Sequence, residues 1–346
     1  MSLSRPARFP LLKLPYLCSK CVLHNLDEFL IIYFATISDR TRRIVRSSNY
    51  PLKTIDVGLR EIGRITIKYE LGNNDNKLWY FMHDKYAYGS KISLRKNSQA
   101  LRTSRHFDSR GHYLESYTTG DELDSLKMGI EFMIDVFGCT VRQVFVHGDK
   151  ISDLSGLGIR TVKELFISDP GPDNITDLKY LLETIKVTDR YVFHAPIPAN
   201  FYCDPRIFKC RKLFFGCRSS ADWVTFEVLC QFDVPQLNFS YHRFSVEDVV
   251  FYVNHWFNSE NRKLEYLHIA FNNPISLEDF KIDHLNPMPF CEKRRSRRAL
   301  HEPWWKTDMS NGKDILRQDG LLATLYAYSS SIFFYVWHKR FPDVVE

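Results

Sequence analysis

The chain has 346 residues, 44% hydrophobic and 25% charged, with a formal net charge of +6 from 47 basic and 41 acidic side chains. That composition belongs to a folded chain with a sizeable core and excludes a disordered or collagen-like one. The basic surplus is too slight to imply nucleic acid by itself. No stretch approaches the roughly 18 apolar residues of a membrane span, and Met1–Pro15 lacks the apolar run of a signal peptide. The expectation is a cytoplasmic or nuclear chain whose eight cysteines are reduced thiols.

Phe9 to Val45 reads as three short helices. Pro15 suits a first turn, where its missing N–H has no partner anyway. Leu17, Cys18, Cys21, Val22 and Leu26 then recur at spacings of three and four, one helical stripe. Asp27 can cap a second helix through Phe29, Leu30, Ile32, Tyr33 and Phe34. Ser38 can cap a third, Arg40 to Arg46, with Ile44 and Val45 on its buried side. So small a core is not stable alone, and such a unit docks on something.

The opening FPLLKLP, Val22, Leu26 and the closing SDRTRRIV resemble the F-box of the large nematode F-box families. The resemblance implies that residues 9–48 bind the Skp-type adaptor of SCF ubiquitin ligases, and cullin through it. Leu14, Pro15, Val22, Leu26 and Leu30 would be the docking residues. Two departures stand out: Cys18 takes the place of the usual leucine, and Ala35-Thr36-Ile37 replaces a serine-rich segment. Cys18 and Cys21 have zinc-pair spacing, but no second Cys or His pair at that interval follows. Both are expected in the core.

Residues 47–53 form a polar joint. Over 54–120 a small antiparallel β-region is expected. Its strands hold Ile62, Ile65, Ile67 and Tyr69, then Leu78–Phe81, then Ile92 and Leu94, with a turn at Gly72–Asn76 and a loop over 97–120. A helix over Asp121–Phe137 follows, with Leu123, Leu126, Ile130, Ile134 and Phe137 on one face. Six apolar triplets then recur, centred on Phe145, Phe166, Val192, Phe214, Asn238 and His268, 21 to 30 residues apart. Helical patterns lie between them at Asp177–Lys186, Ala221–Phe232 and Val246–Phe257, the last with Ser245 and Asp248 at capping-box spacing. Strand and helix at such a period predict a leucine-rich-repeat-like α/β array with a parallel sheet. A non-repetitive α/β domain remains open, since the periods wander and no asparagine ladder is present. The fold class is α/β: a three-helix module, a small β-region and this array over 121–343.

Phe244–Phe271 (EDV, HW, LEYLHI) and Ile315–Trp337 (RQDG, AT, VW) resemble the type-2 F-box-associated domain of nematode proteins. That resemblance implies a substrate-recognition region. In the strands, Leu165 and Ile167, Leu213 and Phe215, Leu237 and Phe239, and Leu267 and Ile269 suit the core. The alternate positions, Phe166, Phe214, Asn238 and His268, then form the expected substrate face. Cys203, Cys210 and Cys217 read as structural. Lys293–Arg298 reads as a solvated basic loop, a localisation signal or a phosphate-binding patch, and Trp304-Trp305 beside it as packing anchors.

The sequence has no Gly-rich phosphate loop, HExxH or GxSxG. Acid pairs Glu247-Asp248 and Glu278-Asp279 fall at helix starts, where they favour the helix dipole. The reading is therefore a non-catalytic substrate receptor of an SCF-type ubiquitin ligase that binds a protein substrate. It has no cofactor or metal and no membrane partner, and nucleic acid is not expected. The alternative is a solenoid scaffold or nucleic-acid-binding protein whose N-terminal helices only cap the array.

Overall fold

The computed structural model describes residues 14–59, 65–71, 75–83, 92–96, 99–108, 111–169, 171–172, 174–216, 220–240, 242–302 and 305–338. Phe9–Lys13, Ile62, the Gly72–Asn74 part of the expected turn, Cys217 and Trp304 lie outside them. The chain divides into two compact units, residues 1–144 with 156–158, and residues 145–155 with 159–346.

The first unit opens with three helices, α1 (Tyr16–His24), α2 (Glu28–Ile37) and α3 (Asp39–Ser47). Pro15 is the N-cap of α1, and Asp27 caps α2 by accepting the Leu30 N–H at 2.9 Å. Ser38 caps α3 in a reciprocal box with Thr41. The buried face of α1 carries Ser19 and Leu23, with Leu17, Cys18 and Cys21 exposed. The core placement expected for the two cysteines is thus reversed. Ser19, which donates to the Leu14 carbonyl at 3.4 Å, lies on the buried face, while Leu17, Cys18 and Cys21 of the stripe lie outward and Val22 and Leu26 are half-buried. Phe29, Ile31, Ile32 and Ala35 form the buried side of α2, and Thr41 and Val45 that of α3.

The β-region holds β1 (Thr54–Leu59), β2 (Ile65–Leu71), β3 (Asp75–His83), β4 (Ile92–Lys96), β5 (Gln99–Asp108) and β6 (Gly111–Thr118). They run in the order β1-β2-β3-β6-β5-β4, antiparallel except for the parallel pair β3 and β6. The loop expected over 97–120 is therefore mostly two paired strands. Its polar side chains satisfy each other inside the sheet: Trp79 Nε1 donates to Ser116 Oγ at 2.9 Å, and Ser116 meets Thr103 Oγ1 at 2.6 Å. Such buried polar groups are tolerated because they are paired. Helix α4 (Glu122–Phe137) follows, capped by Asp121 and ended by Gly138 in the left-handed region at φ 65°. Leu126, Ile130, Met133 and Val136 bury its inner side, whereas Ile134, expected there, is 44% exposed. Strand β7 (Thr140–His147) comes next, and Arg142 forks onto buried Asp56 with bonds of 2.9 and 2.7 Å.

The second unit contains α5 (Ile151–Gly156), β8 (Thr161–Ser168), α6 (Ile175–Thr184), β9 (Lys186–His194), β10 (Lys212–Phe215), α7 (Phe226–Gln231), β11 (Gln236–Phe239), α8 (Val246–Asn258) and β12 (Tyr266–Ala270). All six apolar triplets lie in strands, the first in β7. Strands β8 to β12 are neighbours in chain order and mutually parallel. The chain finishes with the hairpin β13 (Arg298–Glu302) and β14 (Trp305–Asp308), then β15 (Lys313–Leu316), β16 (Leu322–Tyr328) and β17 (Ser331–Trp337). Strand β17 pairs antiparallel with β12, then β16 and β15 continue outward.

One face of this sheet is the core. Leu165, Ile167, Leu213, Phe215, Leu237, Phe239, Leu267 and Ile269 are all fully buried. Across the strands Tyr191, Phe193, Phe215 and Phe239 form a nearly parallel aromatic stack, with centroids of Phe193, Phe215 and Phe239 5.1 and 4.9 Å apart. Phe208, Trp223 and Phe244 meet the stack edge-on. Cys203 and Cys210 are buried, as expected for structural thiols. Burial pushes each thiol up to about 12.

Helix α8 carries the capping box of Ser245 and Asp248. Helix α6 ends at Thr184, before Lys186 opens β9, and α7 is shorter than its sequence pattern. Among the described residues no helix is long and apolar enough to cross a membrane, and no cluster of three or more His, Cys, Asp or Glu is arranged to hold a metal.

Candidate functional site

Two surfaces gather the residues singled out in the sequence, one in each unit. On the helices of the first unit, the core is made by Leu23, Phe29, Ile31, Ile32, Ala35 and Val45. What remains outside is unusually apolar: Leu17 is 71% exposed, Ile37 58%, Tyr16 51%, Leu30 44% and Tyr33 42%. Of the expected docking residues, Pro15 and Leu30 are exposed, while Leu14, Val22 and Leu26 are half-buried. The sequence did not foretell the exposure of Tyr16, Leu17, Tyr33 and Ile37. Their type offered no signal, because apolar residues at helical spacing fit a core equally well.

These helices are tied into their unit. Arg105 of β5 reaches Asp27 at 3.2 Å and lies 4.8 Å over the Phe29 ring. Arg46 pairs with Asp135 of α4 at 3.2 Å, and the His24 ring meets the Ser48 carbonyl at 3.0 Å. The Tyr16 hydroxyl donates to the Ser47 carbonyl. An apolar groove runs between α2 and the β5–β6 strands, lined by Leu30, Tyr33, Arg105 and Leu114.

The second surface is the sheet face opposite the aromatic core. Register places Phe166, Val192, Phe214, Asn238, His268 and Phe333 in one row across β8, β9, β10, β11, β12 and β17. All four expected substrate residues therefore share a face. Their exposure differs: Phe166 and Phe214 are half-buried, but Asn238 and His268 are only 7% and 8% exposed. Phe145 stacks on Phe166 at 4.4 Å, and His268 stacks on Phe333 at 4.5 Å. At the β16–β17 end the face is covered by Ala299 of β13 and by Met309, packed on Leu322, Phe333 and Trp337. The next row toward the strand ends holds Ser168 and His194, and partial burial lowers the affinity of His194 for its proton.

The basic cluster is not a simple solvated loop. Arg295 is fully buried and donates to Asp314 at 2.6 Å and to the Met309 carbonyl at 2.9 Å, with its guanidinium 4.6 Å from the Phe290 ring. Asp314 also accepts from Thr324, which accepts from Trp337. Arg294 approaches Asp314, and the exposed Arg297 pairs with Asp308; Lys293 and Arg298 are exposed as well.

The RQDG motif is likewise structural. Arg317 forks onto Asp319, donates to the Trp256 and Asn261 carbonyls, and lies 4.8 Å over the Trp256 ring, so it closes the C-terminal end of α8. Gly320 supplies a φ of 85° in the same turn.

Residues 206–269 match the family described as F-box associated. The match takes in Phe244–Ile269 of the sequence resemblance and leaves Ile315–Trp337 outside. Two uncharacterised proteins of Caenorhabditis elegans are similar to the chain. F59B2.8 is 30% identical over 36% of this chain and 30% of its own length. F59B2.9 is 24% identical over 53% of this chain and 40% of its own length. The chain thus spans less than half the length of the curated relatives it matches. No solved structure matches it.

Proposed function

We propose, from the F-box associated segment at residues 206–269, that this chain is a substrate-receptor subunit of an SCF-type cullin-RING ubiquitin ligase. The segment match is the observation that carries the reading. In this account residues 9–48 are an F-box that binds a Skp-type adaptor, and through it cullin, with Leu14, Pro15, Val22, Leu26 and Leu30 at the interface. Leu17, Tyr33 and Ile37 extend that interface, because exposed apolar side chains so close together favour a partner that covers them. Helices docked this way bury apolar anchors in a groove.

Residues 121–343 act as a leucine-rich-repeat-like recognition domain, with a protein substrate on the accessible part of the row, at Phe166 and Phe214, beside the buried Asn238 and His268. The receptor performs no chemistry itself. It raises the concentration of its substrate beside a ubiquitin-charged partner. It works in the cytoplasm or the nucleus. The test is affinity purification of the tagged chain under proteasome inhibition. The reading expects adaptor, cullin and a recurrent substrate together; their consistent absence from a folded, expressed chain contradicts it.

A further inference from the structure

The sheet face of the second unit has a chemical pattern that narrows what it can hold. Two residues along each strand from the Phe166–Val192–Phe214 row lies a polar row of Glu164, Arg190, Lys212 and Gln236, in register across β8 to β11. That step is roughly 6.6 Å, about the separation of alternate side chains in an extended peptide. The aromatic row is half-exposed at Phe166 and Phe214, which supplies an apolar floor.

The polar row is cationic. In the row itself Arg190 and Lys212 stand against Glu164, and at its far end Gln236 donates to Glu265 at 2.6 Å. Arg190 is incompletely used by the fold: its nearest carboxylate oxygen, on Glu164, is 3.9 Å away, and its buried Nε has no hydrogen-bond partner. A guanidinium in that state favours an incoming anion, since a buried donor without an acceptor is costly.

We infer that the β8–β11 face receives an acidic, aromatic-bearing peptide segment, with its carboxylates on the Arg190–Lys212 row and its apolar side chain over Phe166 and Phe214. The inference rests on the receptor reading for its biological role and gives the substrate a chemical class. Carboxylates alone meet half the surface, and aromatic residues alone leave Arg190 unmet. The two together, spaced by alternation along an extended strand, match both rows.

The probe is a fluorescein-labelled dodecapeptide of three Glu-Ser-Phe-Ser repeats, which places glutamate and phenylalanine two residues apart on one face of an extended strand, titrated with the full chain by anisotropy. Peptides of Lys-Ser-Phe-Ser repeats and of Glu-Ser-Ser-Ser repeats, and a thymidine oligonucleotide, serve as controls. The expected result is binding of the glutamate–phenylalanine peptide at least tenfold tighter than any control, weakening as salt is raised. Arg190→Gln and Phe214→Ala should each lower that affinity at least fivefold while the thermal melt stays cooperative. Arg190→Glu should shift the preference toward the lysine peptide.

Equal binding of acidic and basic peptides, absence of binding, tighter binding of the oligonucleotide, or unchanged affinity in both Arg190→Gln and Phe214→Ala overturns the inference. If a variant does not fold, the peptide preference and salt dependence of the unaltered chain still decide it. Co-precipitation with a purified Skp-type adaptor on the same preparation separates the two readings. Adaptor binding without peptide selectivity sinks the inference alone, and peptide selectivity without adaptor sinks the receptor reading alone.

Discussion

Asp314 holds the charge balance of the C-terminal strands in the second unit. It is fully buried and accepts from Arg295, from Thr324 and, at 3.4 Å, from Arg294, with Arg295 the fully buried counterion. Asp314→Ala leaves the Arg295 guanidinium buried without its counterion, and removing one partner of such a pair costs about 3–5 kcal/mol. Chemical denaturation should show that loss. Replacing Arg295 and Asp314 together by apolar residues should recover much of it, and a loss under about 1 kcal/mol for the single change would mean the pair is not compensating a buried charge. His242 supplies a pH signature. Burial lowers its pKa to about 4, with the Ala270 backbone and Asp248 pulling weakly the other way. The unfolded chain therefore binds the extra proton between pH 6.5 and about 4. Stability is fully present above that window and falls through it on acidification, by on the order of 3 kcal/mol. His242→Phe should flatten that part of the stability–pH curve in equilibrium unfolding. At this scale the sequence was least legible. Arg295 and Asp314 meet across 19 positions, and nothing in a run of basic residues marks one as buried. Cys18 and Cys21 could be assigned to a stripe but not to its side, because Ser19 and Leu23 have the same helical spacing.

Among elements, the parallel strands were the most legible. A triplet such as Leu213-Phe214-Phe215 between turn signals is what a strand buried on one face and half-covered on the other requires. Strands β5 and β6 were not legible, since Thr103, Ser104, Arg105 and Ser116 look like loop residues until their partners across the sheet are known. Helix starts were readable through their caps, and one helix end and one helix start give predictions. Gly138→Ala places a Cβ in open space but in a left-handed backbone, so the cost is conformational alone, about 1 kcal/mol. A melt shift larger than that implies contacts the backbone argument omits. Asp27→Ala removes the α2 cap and the Arg105 ion pair together. Loss of a cap costs roughly 0.5–2 kcal/mol and an exposed pair adds less than about 1 kcal/mol. Arg105→Ala in a double-mutant cycle separates the two, and zero coupling would show that the pair contributes nothing.

For the whole molecule, the order of helices, small β-region and parallel strands was readable, and so was the α/β class. The tie between the helices and the β-region was not, because it depends on Arg105 with Asp27 and Phe29, side chains 78 and 76 positions apart. The docking claim is testable without loss of fold at Pro15, Leu17 and Leu30, which are exposed, whereas Leu14, Val22 and Leu26 are half-buried. Leu30 is 44% exposed and Pro15 only caps α1, so their replacement removes surface rather than support. Each aliphatic anchor buried by a partner contributes about 1.5–3 kcal/mol. The most direct measurement is the affinity of the purified full chain for a purified Skp-type adaptor, compared with Leu14→Ala/Pro15→Ala and with Leu17→Ala/Leu30→Ala. The account predicts specific binding by the unaltered chain and at least a tenfold loss in each double variant with the thermal melt preserved. No binding by the folded chain, or equal affinity in both variants, would contradict it.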